Sequence, residues 1–202
     1  MRTNRLEAFS DGVFAIAITL LVLELRVPEG AGDRLGHELA RQWPSYLAYL
    51  VSFLVIGIIW MNHHAVVDHL READRPLMAL NLFLLLWTSL IPWPTRLVAE
   101  YMREGGDPER VAALIYAGTM TMMGVAFGLL WRYATSHRGL LSVELSEAEI
   151  ARRTRRFTIG TPIYGLSILV ALFSAPVCLV IIAALAVYYA VPQGGMMPGP
   201  AR

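Results

Sequence analysis

The sequence predicts an all-α membrane protein with about six transmembrane helices, because long uncharged segments alternate with short charged connections. The 202 residues are 56% hydrophobic and only 16% charged. An apolar helix of roughly 18 or more residues can cross the hydrocarbon core of a bilayer. The ranges 42–62, 77–95 and 111–131 contain no charged residue, and neither does the much longer range 157–201. Soluble globular domains do not carry such blocks.

The predicted helices follow these blocks in order. Predicted helices 1 to 6 cover residues 6–25, 44–65, 77–98, 108–133, 157–173 and 176–191. The last block is divided before Pro176, because proline is tolerated in the first turn of a helix. Helix 6 is short for a span, so five spans with a re-entrant hairpin remain an alternative. The charged connection 142–156 is predicted as a short amphipathic surface helix, and 192–202 as a disordered tail.

The charges predict an orientation and exclude some functions. All 17 basic residues are arginine, and eleven of them fall on the side of the chain's N-terminus against six on the other. This bias favours both termini in the cytoplasm. A net charge of +1 gives no reason to expect nucleic-acid binding. Cys178 stands alone, so neither a disulfide framework nor a cysteine metal site is expected.

Predicted helix 1 has two different faces. At about 100° per residue, branched and small apolar residues line one side. This apolar stripe comprises Phe9, Gly12, Ile16, Leu20 and Leu23. Thr19 and Glu24 flank the stripe, whereas Asp11 lies almost opposite Ile16. From periodicity alone, ordinary helix packing or lipid contact is the more common explanation of such a stripe.

Asp11 is the unusual polar residue of this helix. A carboxylate at membrane depth is costly and usually points to a partner in the protein interior, although an interfacial residue that interacts with the helix dipole is an alternative. Arg5 is the available counter-charge, and helix 2 supplies further partners at the same end. These are Trp60, Asn62, His63 and His64.

No metal, cofactor or catalytic site is predicted. Adjacent residues on a helix diverge by about 100°, so His63 and His64 cannot easily chelate one ion together. Zinc sites need three or four ligands. The sequence also lacks a glycine-rich phosphate loop, and no nucleophile and base stand in a plausible catalytic arrangement. We therefore expect no enzyme activity.

Several motifs together resemble the transmembrane protein 175 family, whose members are potassium-conducting channels. Arg5-x-x-x-Phe9-Ser10-Asp11 is similar to the helix 1 signature of that family. The Gly-Val-Phe-Ala-Ile-Ala-Ile-Thr run that follows resembles bacterial members, as do 60–64 (Trp-Met-Asn-His-His), Asn81 and 92–95 (Pro-Trp-Pro-Thr). These motifs cover roughly the first half of the chain.

The resemblance implies a homotetramer in the bacterial inner membrane, with six helices per subunit, helix 1 around a central pore and K⁺ as the permeant ion. The implied pore lining is Ile16 at the constriction, Leu20 and Leu23 toward the outside, Thr19 beside the ring and Glu24 at the pore mouth. The implied structural network that holds helix 1 on helix 2 is Arg5, Phe9, Ser10, Asp11, Trp60, Asn62, His63 and His64. A narrow apolar ring can gate by dewetting. No Thr-Val-Gly-Tyr-Gly filter is present, so we expect modest selectivity for K⁺ over Na⁺.

Two other functions remain open at this point. A proton-coupled secondary transporter could use Asp11 and a histidine of helix 2, and a non-conducting membrane scaffold needs neither. A transporter saturates and depends on Asp11 protonation, whereas a channel passes current along a gradient.

Overall fold

The computed structural model describes residues 3–30, 32–142 and 145–190, which form an antiparallel bundle of α-helices. The helices are α1 (Thr3–Leu20), α2 (Leu35–Arg41), α3 (Trp43–Val67), α4 (Arg75–Leu90), α5 (Pro92–Tyr101), α6 (Gly106–Ser136), α7 (Glu147–Ala171) and α8 (Ala175–Ala190). The described ranges contain no β-strand, and the prediction of an all-α protein is confirmed. The predicted tail, 192–202, lies outside the described residues.

Four helical segments are long and apolar enough to cross a membrane. They cover Thr3–Glu24, Trp43–Val67, Arg75–Tyr101 and Gly106–Ser136, and a shorter apolar helix follows at Ala175–Tyr189. The chain is therefore a multi-pass membrane protein. α3 and α6 extend predicted helices 2 and 4 by one to three residues at each end.

Predicted helix 3 is divided in the structure. α4 ends at Leu90 and α5 begins at Pro92, and Ile91 between them keeps helical backbone angles (φ −51°, ψ −40°). Pro92 has no backbone N–H and cannot continue the hydrogen-bond ladder of α4, although it is well suited to the first turn of α5. The Pro-Trp-Pro segment therefore makes two helices out of one apolar block.

The predicted surface helix before α7 is wrong as a separate element. Ser146 caps α7, and its backbone and side chain exchange hydrogen bonds with Glu149 in a capping box. From Glu147 the helix continues without interruption into the apolar segment, past Pro162 to Ala171. The charged residues up to 156 are thus the first turns of the fifth long helix.

α6 lies at the centre of the bundle and contacts α4, α5, α7 and α8. Small residues let its neighbours approach closely, as is usual between membrane helices. An added Cβ at Gly124 would lie 2.9 Å from the Thr161 Oγ1 atom of α7. Trp131 Nε1 donates a hydrogen bond of 2.8 Å to Thr154 Oγ1, which aligns the two helices at one end of the bundle.

The bundle has two ends that can be told apart by their contacts. At the first end, which contains the start of α1, His64 Nδ1 lies 3.1 Å from Glu7 Oε1. At the opposite end, Arg26 pairs with Glu100 at 3.1 Å. We refer to these as the near end and the far end. The near end contains the starts of α1, α4 and α7.

Candidate functional site

The apolar stripe of α1 is exposed in the isolated subunit. Ile16 is 62% exposed and Leu23 69%, with Phe9 at 55% and Leu20 at 41%. The residues that α1 buries against the bundle lie on the other side of the helix. They are Leu6, Ser10, Phe14 and Ala17, with Leu21 one turn beyond. The helix therefore packs by one face and leaves a continuous apolar ridge uncovered.

The end of the first span is tighter than an α-helix. Residues Leu21–Glu24 form a 3₁₀ turn, in which each residue advances by about 120° and side chains three apart eclipse one another. Leu23 therefore lies directly above Leu20, whereas Glu24 lies above the fully buried Leu21.

The 3₁₀ turn moves Glu24 away from the stripe that it was predicted to flank. Its side chain is only 14% exposed, and its Oε2 atom lies 3.8 Å from Arg96 Nε of α5. The carboxylate thus contacts an arginine of its own subunit. An ideal α-helix to Leu25 would have kept Glu24 beside the ridge.

Thr19 lies at the edge of the ridge with its hydroxyl exposed. Its Oγ1 atom lies 2.7 Å from the Ala15 carbonyl oxygen and 3.0 Å from that of Ile16, and its single hydrogen is donated to this backbone pair. Because the hydroxyl hydrogen is engaged with the backbone, the oxygen lone pairs are directed away from the helix. Such an oxygen is a suitable ligand for a hard cation.

A buried chain of hydrogen bonds joins α1 to α4 and α3. Asn81 Nδ2 donates to Ser10 Oγ at 3.0 Å, and Asn81 Oδ1 lies 2.7 Å from His63 Nε2. Ser10 Oγ in turn donates to the Leu6 carbonyl at 2.8 Å. His63 Nδ1 is buried without a hydrogen-bond partner in the described structure. Ser10 is thus held by α4, and His63 contacts Asn81 rather than Asp11.

Asp11 and Trp60 form a separate contact beside the ridge. Trp60 Nε1 donates to Asp11 Oδ1 at 2.9 Å. The pair lines an open crevice of about 360 Å³ between α1 and α3, whose other lining residues are apolar. These are Phe14, Ala15, Ile18, Ile56 and Gly57. Asp11 is therefore positioned by an indole N–H and not by a cation.

His64 connects α1 and α3 at the near end. It lies 3.1 Å from Glu7 and 3.6 Å from Asp68, and all three side chains are at least partly exposed. Arg5, the predicted counter-charge of Asp11, is exposed and forms no ion pair within the described part of the chain. By helical periodicity Arg5 falls on the line of Ile16, about 120° from Asp11.

The remaining predicted residues lie apart from this network. Phe9 is part of the exposed ridge, and Asn62 lines a small cavity between α3, α6 and α7, remote from α1. The acid Glu7 and the amide Asn81 are the partners that the network prediction omitted. Asn81 stood among the motif residues of the sequence, and as the one amide in predicted helix 3 it could also have been assigned to this network.

A second buried polar cluster fixes the scaffold toward the far end. Ser52 Oγ lies 2.7 Å from Thr95 Oγ1 and 2.9 Å from the Tyr116 hydroxyl. Breaking these buried bonds would be costly, because inside a bilayer no water is available to replace them. Together they join α3, α5 and α6, and sequence reasoning did not find them.

Comparison with known proteins gives consistent matches. The family described as endosomal/lysosomal potassium channel TMEM175 matches residues 5–92. A potassium channel of Streptomyces collinus is 47% identical over 99% of this chain and 96% of its own length. The crystal structure of a lysosomal potassium-selective channel TMEM175 homolog from Chamaesiphon minutus superimposes with a TM-score of 0.83, at 37% identity over 93% of this chain and 96% of that one. The human endosomal/lysosomal proton channel TMEM175 is 32% identical over 67% of this chain, but this match covers only 28% of the human protein.

Proposed function

The chain belongs to the TMEM175 family of ion channels, and from this premise we propose that it conducts K⁺ as a homotetramer whose four α1 helices surround the pore. Its relatives are channels and not enzymes, which confirms the expectation of no catalytic activity. Two bacterial relatives named potassium channels match along 93% or more of their own length. K⁺ is therefore the best-supported permeant ion. In this proposal α7 and α8 are the fifth and sixth membrane spans.

The observation that carries the proposal is the uncovered ridge of α1. About two thirds of Leu23 and of Ile16 remain exposed, although the same span buries Phe14, Ala17 and Leu21 against the bundle. A helix at the periphery of a bundle could turn such a ridge to lipid. However, the ridge adjoins an exposed hydroxyl at Thr19 and ends at the cation Arg5, which suits a water-filled path better than hydrocarbon.

The ridge explains closure of the pore. Four copies of Ile16 around an axis would form an apolar ring, with Leu20 and Leu23 as further layers toward the far end. A ring of this kind is too dry for a hydrated ion and blocks conduction by dewetting. Opening must therefore widen the ring or rotate the isoleucine away from the axis.

Selectivity follows from the groups that an ion can meet. The sequence lacks the Thr-Val-Gly-Tyr-Gly carbonyl filter, so discrimination has to come from pore width and from a few side-chain oxygens. Thr19 is the hydroxyl that supplies such oxygens next to the constriction. We expect a modest preference for K⁺ over Na⁺. Glu24 contributes little at the mouth, because it pairs with Arg96.

The geometry favours a channel over proton-coupled transport. Asp11 accepts from Trp60 and His63 bonds to Asn81, so the acid and the histidine have separate partners. Vertebrate relatives named proton channels share less than a third of their own length with this chain. For the orientation we propose the near end in the cytoplasm of a bacterial cell, because the arginine excess lies on that side.

Flux through reconstituted protein tests the constriction. We expect Ile16→Asn to increase K⁺ flux into liposomes several-fold, because a polar ring remains hydrated. Val180→Asn is the matched control, since Val180 is similarly exposed at 66% but lies on α8. Equal flux in both variants would contradict the assignment of Ile16 to the pore axis. A saturating flux that vanishes in Asp11→Asn would favour the transporter instead.

Cross-linking tests the symmetry independently of conduction. Ile16→Cys in a Cys178→Ser background should form disulfide-linked dimers within the membrane, because opposite or adjacent copies of α1 meet at the axis. Leu166→Cys should remain unlinked. Absence of any link at position 16, with normal folding, would mean that the ridge faces lipid.

A further inference from the structure

The near end of α7 carries a concentrated positive charge. Arginine occupies positions 152, 153, 155 and 156, and the chain then has no charged residue until 202. Phe157, the first residue after this cluster, is buried against Phe127 and Trp131 of α6. The positive charge therefore lies at the boundary where α7 enters the apolar region.

The two described acids at the start of α7 are already engaged. Glu147 pairs with Arg138, and Glu149 accepts hydrogen bonds from Ser146 in the capping box. Within the described structure neither Arg152 nor Arg155 lies within 4.0 Å of a carboxylate oxygen, although Glu149 attracts Arg152 over a longer distance, and both arginines are exposed. Two guanidinium groups thus remain available on the surface of α7.

These two arginines share one face of the helix with an apolar row. Residues 152, 155, 159, 162, 166 and 169 succeed one another at alternating steps of three and four, and all six are exposed. That spacing keeps them on one side of an α-helix. Ile159, Leu166 and Leu169 provide the apolar part. The face therefore begins with cations and continues as hydrocarbon.

The length of this face matches one leaflet. At about 1.5 Å per residue, Leu166 lies roughly 16 Å along the helix from Arg155. Half of a typical hydrocarbon core is about 15 Å. A phosphate at the level of Arg152 and Arg155 would therefore place an acyl chain along Ile159 and end it near Leu166.

We propose that this face of α7 is a binding site for one anionic phospholipid of the leaflet at the near end. The phosphate bridges Arg152 and Arg155, which stand one turn apart, and an acyl chain lies on the apolar row. Arg132 adds to the positive potential, because the bond from Trp131 to Thr154 holds it at the same depth on α6. The six residues of the row include no acid, and Glu149, which lies one turn before Arg152, is engaged with Ser146 in the capping box. The proposal rests on α7 as a membrane span, which is part of the proposed function.

Lipid titration followed by native mass spectrometry tests the site. The intact protein in neutral detergent is titrated with phosphatidylglycerol and, separately, with phosphatidylcholine, and bound lipid is counted per subunit. We expect one phosphatidylglycerol per subunit to bind more tightly than phosphatidylcholine. Each arginine near an anionic headgroup contributes about fivefold, so Arg152→Gln with Arg155→Gln should weaken binding by about 5- to 25-fold. The corresponding double lysine variant should retain most of it.

Two controls separate this site from other sources of affinity. Arg34→Gln with Arg41→Gln removes two exposed arginines at the far end and should leave binding unchanged. Inorganic phosphate at equal ionic strength should compete no better than chloride. Equal affinity for both lipids, an unchanged affinity in the glutamine variant, or specific competition by phosphate would overturn the proposal. K⁺ flux in vesicles of phosphatidylcholine alone reports on the channel separately, so a failure of lipid binding and a failure of conduction can be distinguished.

Discussion

Replacement of Asn81 by leucine tests whether α1 is held by the buried hydrogen bonds. Asn81 is almost completely buried and bonds Ser10 on one side and His63 on the other. Leucine has a similar volume, so the change removes the polar contacts without opening a large cavity. His63 would then be buried with neither ring nitrogen bonded, because its Nδ1 atom already has no partner.

The expected loss can be derived from these contacts. Hydrogen bonds between membrane helices contribute about 0.6 kcal/mol on average and about 1.7 at most, and an unsatisfied buried group adds about 1–3 kcal/mol. Two lost bonds and one stranded imidazole therefore amount to about 2–4 kcal/mol. For a chain of this size each kcal/mol lowers Tm by about 2–4 °C. We expect Asn81→Leu to lower Tm by about 4–16 °C.

Thermal unfolding of purified protein in detergent is the assay, followed by tryptophan fluorescence or circular dichroism. Asn62→Leu is the matched control, since Asn62 is half-buried on α3 and forms no hydrogen bond in the described structure. It should change Tm by less than about 2 °C. An Asn81→Leu protein as stable as the Asn62→Leu control would refute the role of the network. A cycle with Ser10→Ala should give a coupling of about 0.6 kcal/mol.

Two further predictions concern the scaffold. Gly124→Ala should lower the free energy of unfolding by about 1–3 kcal/mol, because the added methyl group overpacks against Thr161. Thr161→Ala in the same chain should restore Tm. Gly118→Ala should leave Tm unchanged, because the space around its Cβ position is open. For Asp74, the N–H of Leu77 and then the Tyr133 hydroxyl lower the pKa of the carboxyl below its ordinary 3.8. The ionised Asp74 carboxylate therefore contributes its full stabilisation above pH 3.8, and this contribution is lost as the pH falls through the lower pKa of the folded state. Below pH 3.8, Tm of the wild type should decline more steeply with falling pH than Tm of Asp74→Asn. Equal slopes would contradict this account.

Periodicity and hydropathy predicted the parts of the structure that depend on one helix at a time. The all-α class, the position of the long spans and the separation of Ile16 from the packed face all follow from residues within a single segment. The capping box at Ser146 and Glu149 is also a local signal. It was present in the sequence and would have predicted that α7 begins ten residues before its apolar part.

The partners of buried polar side chains could not be predicted in the same way. Ser10, His63 and Asn81 lie on three different helices, and their contact depends on which helices are neighbours. Each residue alone is compatible with several partners, so the sequence offered both Trp60 and a histidine for Asp11, and the structure has the Trp60 contact whereas His63 bonds Asn81. Which partner a buried polar side chain bonds is determined by the packing of the helices against one another, and the periodicity of a single helix carries no information about that packing.

The tight turn at the end of the first span shows how a local change alters the function of a residue. One turn of 3₁₀ geometry rotates Glu24 onto the buried side of the helix and stacks Leu23 on Leu20. The same turn makes the ridge more uniformly apolar toward the far end, because it removes the one carboxylate beside it. Ile16 then lies between two fixed points, the Ser10–Asn81 bond about 9 Å away and the packed Leu21 on the other side. Between membrane helices no hydrophobic force opposes sliding, so these two anchors restrain rotation of the isoleucine together with the Asp11–Trp60 bond to α3. Opening that turns Ile16 off the axis must therefore either break one of these contacts or move α1 together with α3 and α4.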